Sequence, residues 1–435
     1  MVQETYKTTW LANAPEHWDT LRIKNIFAEI DERSETGEEE LLSVSHYTGI
    51  TKKRDSLENE TDFISNAKTL VGYKKVAKSD LVSNIMLAWN GSLGISKFDG
   101  ITSPAYCVYR IKGDNNPDYY GYLFSTAFMK AEFRKKSFGI IDSRLRLYSD
   151  KFFSIPVPVP PKTEQDHIVG YIKAQSKKIK HFIKKKQAFM ALLKEQKTSL
   201  VYKYITKGTN VSVKLKQTGN QFASEIGEGF AIEKFNNFVF IRHGFQFRDY
   251  DFKPEGIKIV KISQLSPKGY LDLSSADTID AYRKDDFKNI VIQDGDILMA
   301  LTGGTIGKII VADTKGELLL QNYRVGKFSL LREGSMTYEY LYHQLSSDFI
   351  QSQINFFVRE TGQPNIGKSD FRNMSIIIPP KIEQDKIVTK IKTETAKIDQ
   401  AIAKAQKEIE LIKEYKEAMI AEAVLGKFNH NIVKS

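Results

Sequence analysis

The sequence predicts a mixed α/β (α+β) protein made of two similar globular domains. A long helix follows each domain, and the two helices pair antiparallel as a coiled coil about a pseudo-twofold axis. Three observations carry this prediction. A fourteen-residue stretch occurs twice, as PPKTEQDHIVGYIK at 160–173 and PPKIEQDKIVTKIK at 379–392. Ten of the fourteen positions are identical at an offset of 219 residues, where unrelated sequence would match at roughly one position in fourteen. After each copy, apolar residues recur at alternating spacings of three and four, the period of a helix seam. Before each copy lie short strand-like runs punctuated by turn residues.

Residues 1–159 form the first domain. Its lead-in, PEHWDTLRIKNIF (15–27), sets Trp18, Leu21, Ile23 and Phe27 among polar residues. LLSVSH (41–46), DLVSNIMLAW (80–89) and YCVYRI (106–111) read as strands, separated by turns at Asn90-Gly91, Asp99-Gly100 and Gly113-Asp114. The spacing of 119–137 predicts one helix. SIPVPVP (154–160) reads as an extended edge, because its prolines lack ladder donors.

Residues 160–208 form the first long helix. Thr163 is the expected cap, with Asp166 three residues on. Its seam is Ile168, Ile172, Ile179, Ile183 and Leu193. Twelve lysines stand against three acids over 161–207, a net of +9. At 1.5 Å per residue the helix would be roughly 65 Å long. The polar, glycine-containing stretch 209–228 reads as a linker.

Residues 229–378 repeat the order of the first domain. FAIEKFNNFVF (230–240) resembles the lead-in without its Trp and Pro, KIVKISQL (258–265) and DILMALT (296–302) read as strands, and 338–357 reads as one helix. Phe371 falls at the same 219 offset from Phe152. Residues 379–427 repeat the long helix, with a seam of Ile387, Ile391, Ile398, Ile402, Ile409 and Ile412, a net charge of only +1, and a short tail at 428–435. Each buried Ile or Leu contributes roughly 1.5–3 kcal/mol, enough to pair the two seams.

Composition narrows the function classes. A 41% apolar fraction across 435 residues supports real cores, which excludes general disorder. The single cysteine, Cys107, excludes a disulfide framework and a cysteine-based zinc site, and the seven histidines form no short-spaced ligand pair. With no run of about eighteen apolar residues and no apolar leader, a soluble, cytoplasmic protein without a membrane partner is expected. A net charge of +11 fits either a polyanionic partner or a solvated basic surface.

Several motifs invite catalytic readings that the residues do not support. The EQD acids sit in a first helical turn, where carboxylates complement the helix dipole. GGTIGK (303–308) lacks the first glycine and the hydroxyl residue of a phosphate-binding loop, so it reads as a tight turn. NNPDYY (115–120) has Asp118 where an amino-methyltransferase motif carries its second proline. Basic and amide residues instead gather at expected loop tips. In the first domain these are Lys52, Lys53, Arg54, Asn90, Ser92, Arg144 and Arg146. In the second they are Arg242, Gln246, Arg248, Gln264, Thr305, Lys308, Asn322, Arg324, Gln363, Asn365 and Lys368. Arg, Lys, Asn and Gln read purine edges in the major groove, and Arg and Lys also neutralise phosphates.

The whole chain resembles the specificity (S) subunit of Type I restriction-modification systems, the HsdS family. PPKTEQDHIV and PPKIEQDKIV resemble that family's two conserved regions, Pro-Pro-x-x-Glu-Gln and then apolar residues. ITKG (205–208) and VLGK (424–427) resemble its helix ends, the second glycine falling one residue early. The repeated lead-in, strand-turn pattern and proline-rich exit resemble its target recognition domains. The resemblance implies that each domain binds one half of a bipartite site on double-stranded DNA. It implies that the helices set the spacer and dock two methyltransferase (M) subunits for adenine-N6 methylation, with restriction (R) subunits adding ATP-dependent cleavage. On this reading the chain is non-catalytic alone, and S-adenosylmethionine, ATP and magnesium belong to the partners. The competing reading is a basic coiled-coil interaction protein without sequence-specific DNA binding.

Overall fold

The computed structural model describes residues 10–45, 49–52, 69–141, 145–332, 334–361 and 365–427. It divides into two compact units, Met1–Lys186 with Gln406–Ser435, and Gln187–Ala405.

In unit 1 the lead-in strand Asp19–Arg22 pairs antiparallel with the exit strand Pro156–Val159, Leu21 lying opposite Val157. Pro156 and Pro158 have no N–H to offer a further strand, so this sheet stops at two. A single helical turn, α1 (Ile23–Ile26), buries both isoleucines and leads into the main sheet. That sheet is antiparallel, in the order Phe27–Ile30, Cys107–Ile111, Leu81–Ser83, Leu93–Ile95. Helices α2 (Pro117–Ser125) and α3 (Ala127–Lys136) follow, and then α4 (Ser149–Phe153). Phe152 is 1% exposed and meets Tyr109 at 4.9 Å, Phe124 at 5.7 Å and Phe133 at 5.8 Å between ring centroids. The chain then enters the long helix α5 (Lys162–Lys207).

Unit 2 repeats this plan. Ala231–Lys234 pairs with Ser375–Ile378. Its main sheet is again antiparallel and in the same order of use: Val239–His243, Val325–Leu330, Ile297–Ala300, Ile309–Val311. Helices α6 (Tyr338–Ser346), α7 (Asp348–Thr361) and α8 (Lys368–Asn373) precede the second long helix, α9 (Lys381–Ala423). Phe371 takes the place of Phe152, packing on Phe235 at 5.3 Å and Phe328 at 5.5 Å. Unit 2 adds a five-stranded sheet built largely from residues 252–292, whereas the described residues of unit 1 form two separate strand pairs there.

Three expectations are corrected. The helices expected at 119–137 and 338–357 are each two helices, broken at Thr126 (φ −70°, ψ 153°) and Ser347 (φ −75°, ψ 154°). In both, the hydroxyl donates to the carbonyl three residues back, Leu123 or Gln344, at 2.6 Å, taking the place of a helical partner. The stretch 209–228 is a hairpin, Leu215–Asn220 with Ala223–Gly227, and not a linker. Ala223 and Ile226, each 1% exposed, anchor it to the core, enough to fold an otherwise polar segment. The strand at 80–89 ends at Ser83, because the Asn84 side chain accepts from Met86 N–H (3.1 Å) and turns the chain.

The repeated stretch is the joint between each sheet and its long helix. Pro161 and Pro380 supply the carbonyls that accept the first helical bonds, from Glu164 N–H and Glu383 N–H at 2.8 Å each. Thr163 is therefore one residue inside the helix and does not cap it, and its counterpart Ile382 is 74% exposed. The acids reach outward. Glu164 accepts from Trp18 Nε1 (2.9 Å) and pairs with His17 Nε2 (2.8 Å), tying the lead-in to α5. Glu383 accepts from the N–H and hydroxyl of Thr209 at 2.7 Å each, just beyond the end of α5. Asp166 accepts from Asn116 and Lys162, which hold its carboxyl below the usual range. Gln165 and Gln384, each 1% exposed, donate to their own proline carbonyls, Pro160 at 2.8 Å and Pro379 at 3.1 Å. Lys173 reaches Asp118, and its repeat partner Lys392 reaches Glu339 at 2.7 Å.

The glycines of the two helix ends complete the joints. Gly208 (φ +75°) and Gly426 (φ +76°) are left-handed. A Cβ on Gly208 would lie 2.9 Å from Phe230 and Glu383, and one on Gly426 would lie 2.7 Å from Pro15. The expected seams face inward. Ile168, Ile172, Ile179 and Ile409 are buried in unit 1, and Ile387, Ile391 and Ile398 in unit 2. Ile183, Ile412, Leu193 and Ile402 are half-buried. In unit 1 the first half of α5 and the last half of α9 share one core: Ile179 and Met419 are buried in it and Ile183 and Ile412 pack on it. Lys186 pairs with Glu408 there, and in unit 2 Lys197 pairs with Asp399 at 2.7 Å, so partners descend on one helix as they ascend on the other and the helices run antiparallel.

Candidate nucleic-acid interface

The loop residues nominated by sequence divide into two sets. One set is committed to the fold. Ser92 is 1% exposed and Asn322 5%, with the Asn322 Oδ1 accepting from Arg324 N–H at 3.2 Å. Gln264 is 2% exposed and accepts from Lys261 N–H and Ser263 Oγ. These three are corrected from surface tips to interior positions: Asn322 and Gln264 turn inward to meet backbone donors, whereas the buried Ser92 hydroxyl has no hydrogen-bond partner among the described residues. Lys52 pairs with Glu40 at 3.2 Å and lies 5.5 Å from the Phe98 ring. Lys308 donates to Leu265 O at 3.0 Å. Lys53, Arg54, Arg144 and Gln363 lie outside the described residues.

The other set is available to a partner. Asn90, Gln246, Arg248, Thr305, Arg324, Asn365 and Lys368 are exposed. Arg146 and Arg242 are half-buried, donating to Leu145 O (3.3 Å) and Asn289 O (2.8 Å). In unit 1 the Asn90-Gly91 turn lies beside Trp89, whose ring carries the Arg134 guanidinium 5.0 Å above it. In unit 2 the structure brings several nominated residues together. Lys368 and Arg242 lie over the same Phe240 ring, at 5.0 Å and 5.9 Å. Next to them a cleft of about 490 Å³ is lined by Arg324 and Asn365 along with His243, Thr302 and Tyr323.

Those last three escaped the sequence reading. The Thr302 strand end bridges to Asn365, and its hydroxyl is buried without a partner among the described residues. His243 Nδ1 lies 3.3 Å from Tyr323 O. A carbonyl only accepts, so Nδ1 carries the proton in the neutral ring and Nε2 is left as an acceptor. Burial, with Lys368 nearby, pushes the His243 pKa down and favours that neutral form. The sequence signal was the junction of a strand end with the GGT turn, which marks a site only once the 365–367 segment is known to cross it. Among the described residues no group of three or more His, Cys, Asp or Glu gathers to hold a metal.

Two copies of one sheet-and-helix module, each presenting amide and basic side chains from its loops, define a tandem recognition protein. A family model described as the Type I restriction modification DNA specificity domain matches residues 15–188 and 251–411, and the chain belongs to this family of specificity subunits. It is 24% identical over 439 residues to the Type I restriction enzyme MjaVIII specificity subunit of Methanocaldococcus jannaschii, covering 98% of this chain and 96% of the relative. A chain solved in work on complex assembly and conformational transition of the type I R-M system superposes with a TM-score of 0.65 at 14% identity, covering 95% of this chain and 99% of that one. The HsdS subunit from Thermoanaerobacter tengcongensis gives a TM-score of 0.48 at 15% identity, covering 95% and 98%. Among the described residues no helix is long and apolar enough to cross a membrane.

Proposed function

We propose that each unit of this specificity subunit reads one half of a bipartite duplex site, while α5 and α9 set the spacer and dock two methyltransferase subunits. The observation that carries this reading is the duplicated main sheet with its duplicated joint, each ending in a long helix. Different loops on one scaffold suit two different half-sites. Docking on the helices is supported by apolar side chains that the seams leave in solvent, including Leu192 of α5 (63% exposed) and Tyr415 of α9 (53%). Restriction subunits join the same assembly, and S-adenosylmethionine, ATP and magnesium serve the partner subunits in adenine-N6 methylation and ATP-dependent cleavage. A DNA substrate of this kind places the complex in the cytoplasm.

The test is selection from random duplexes by this chain co-purified with its methyltransferase. The expected outcome is enrichment of two short sequence blocks separated by an unread spacer of fixed length. A basic coiled-coil protein would enrich no sequence, and that result would reject the proposal.

A further inference from the structure

We propose that the unit 2 cleft reads one guanine of the target, with Arg324 as the residue that specifies it. This inference rests on the chain acting as a specificity subunit. Other arginines are spent on carboxylates, Arg110 on Asp80 and Arg283 on Asp251, at 2.9 Å and 2.8 Å. Arg324 is exposed, and among the described residues no acid lines its cleft. Its Nε donates to the Tyr323 hydroxyl at 2.7 Å, and its Cζ lies 5.3 Å from the centroid of that ring. The backbone beneath is held on both sides, Arg324 N–H by Asn322 and Arg324 O by Leu301 N–H at 2.9 Å. The guanidinium is thus oriented before any ligand arrives, and its two terminal amino groups, without a partner among the described residues, can donate in parallel. That fork matches the O6 and N7 acceptors of guanine in the major groove.

A phosphate accepts the same fork, so the surroundings must decide. Phosphate tracking is served by cations on an open surface, and Arg242 and Lys368 about Phe240 provide that next door. Arg324 instead shares a concave site with neutral groups suited to a base edge: the Asn365 amide and the His243 acceptor nitrogen. The backbone beside His243 is closely packed. The chain at Gly244 passes so close to the 321–322 backbone that a Cβ there would fall 1.9 Å from Gln321 O.

The experiment compares the wild-type complex with Arg324→Ala and Arg324→Lys, each with the methyltransferase, in binding to every single-base variant of the selected site. Wild type should require guanine at one position of one block. Both variants should relax that position by roughly 5- to 150-fold and leave the other block unchanged, the lysine variant because it keeps the charge and loses the fork. A uniform loss across all sequences, with the salt slope reduced by about one in Arg324→Ala and restored in Arg324→Lys, would assign the residue to a phosphate and overturn the proposal. Absence of guanine from both blocks, or unchanged discrimination in the variants, would also overturn it. A wild-type complex that selects no two-block site would instead reject the specificity reading on which it rests.

Discussion

Gln165→Leu is expected to destabilise unit 1 by about 3 kcal/mol, a large share of the stability of a folded unit. Leucine fills much the same space, so the loss comes from hydrogen bonding. The Gln165 amide donates to Pro160 O (2.8 Å) and Asn115 Oδ1 (3.0 Å) and accepts from Asn116 N–H (2.8 Å). Those bonds lock the last turn before α2 onto the start of α5. Leucine satisfies none of them, and a buried carbonyl or N–H left alone costs about 1–3 kcal/mol. Asn115 and Asn116 are half-buried and regain water, which holds the total below the sum of the three bonds. The repeat supplies an internal control. Gln384 donates to Pro379 O and Ser335 O at 3.1 Å each, while its Oε1 has no partner. Gln384→Leu should therefore cost less, about 2 kcal/mol. Urea denaturation followed by fluorescence checks the order. Equal effects, or a Gln165→Leu protein within 0.5 kcal/mol of wild type, would remove the joint from its proposed structural role.

Phe371→Ala should cost unit 2 about 3–5 kcal/mol, and Phe152→Ala a similar amount in unit 1. Each ring is at most 2% exposed and lies in contact with other aromatic rings, four for Phe152 and two for Phe371, so truncation leaves a cavity that close-packed neighbours cannot fill. Amide hydrogen exchange separates the two cases. Phe371→Ala should lower protection in the Val325–Leu330 strand and spare Cys107–Ile111, and Phe152→Ala the reverse. Loss of protection in both sheets from either substitution would show that the two cores unfold as one.

The repeat made most of the architecture legible in the sequence. A fixed offset of 219 residues carried the two long helices, the exit edges and the Phe152/Phe371 equivalence, but not the pairing of lead-in with exit strand. What escaped was set by single side chains competing with the backbone. Thr126 and Ser347 split two helices whose apolar spacing runs through the break, because periodicity does not report where a hydroxyl captures a carbonyl. The EQD acids were read as complements to their own helix dipole, yet Glu164 and Glu383 spend their oxygens on His17, Trp18 and Thr209. Those partners are far away in sequence and near only in the fold.

The candidate interface was legible in residue type and less so in direction. Arg324, Asn365 and Lys368 were nominated and do reach the surface, but Ser92, Gln264 and Asn322 were nominated on the same grounds and face inward. A polar residue in a turn has one signature in sequence and two possible orientations. His243, Thr302 and Tyr323 were missed because their meeting point needs five separate segments to close around one cleft.

The central claim is that two copies of one module make a single chain that reads two unlike half-sites. Methylome sequencing of cells carrying this chain with its methyltransferase tests it most directly. The account predicts adenine methylation confined to one asymmetric motif of two blocks around a fixed unread spacer. Methylation at a single uninterrupted motif, or a methylation pattern that does not change when this chain is deleted, would contradict it.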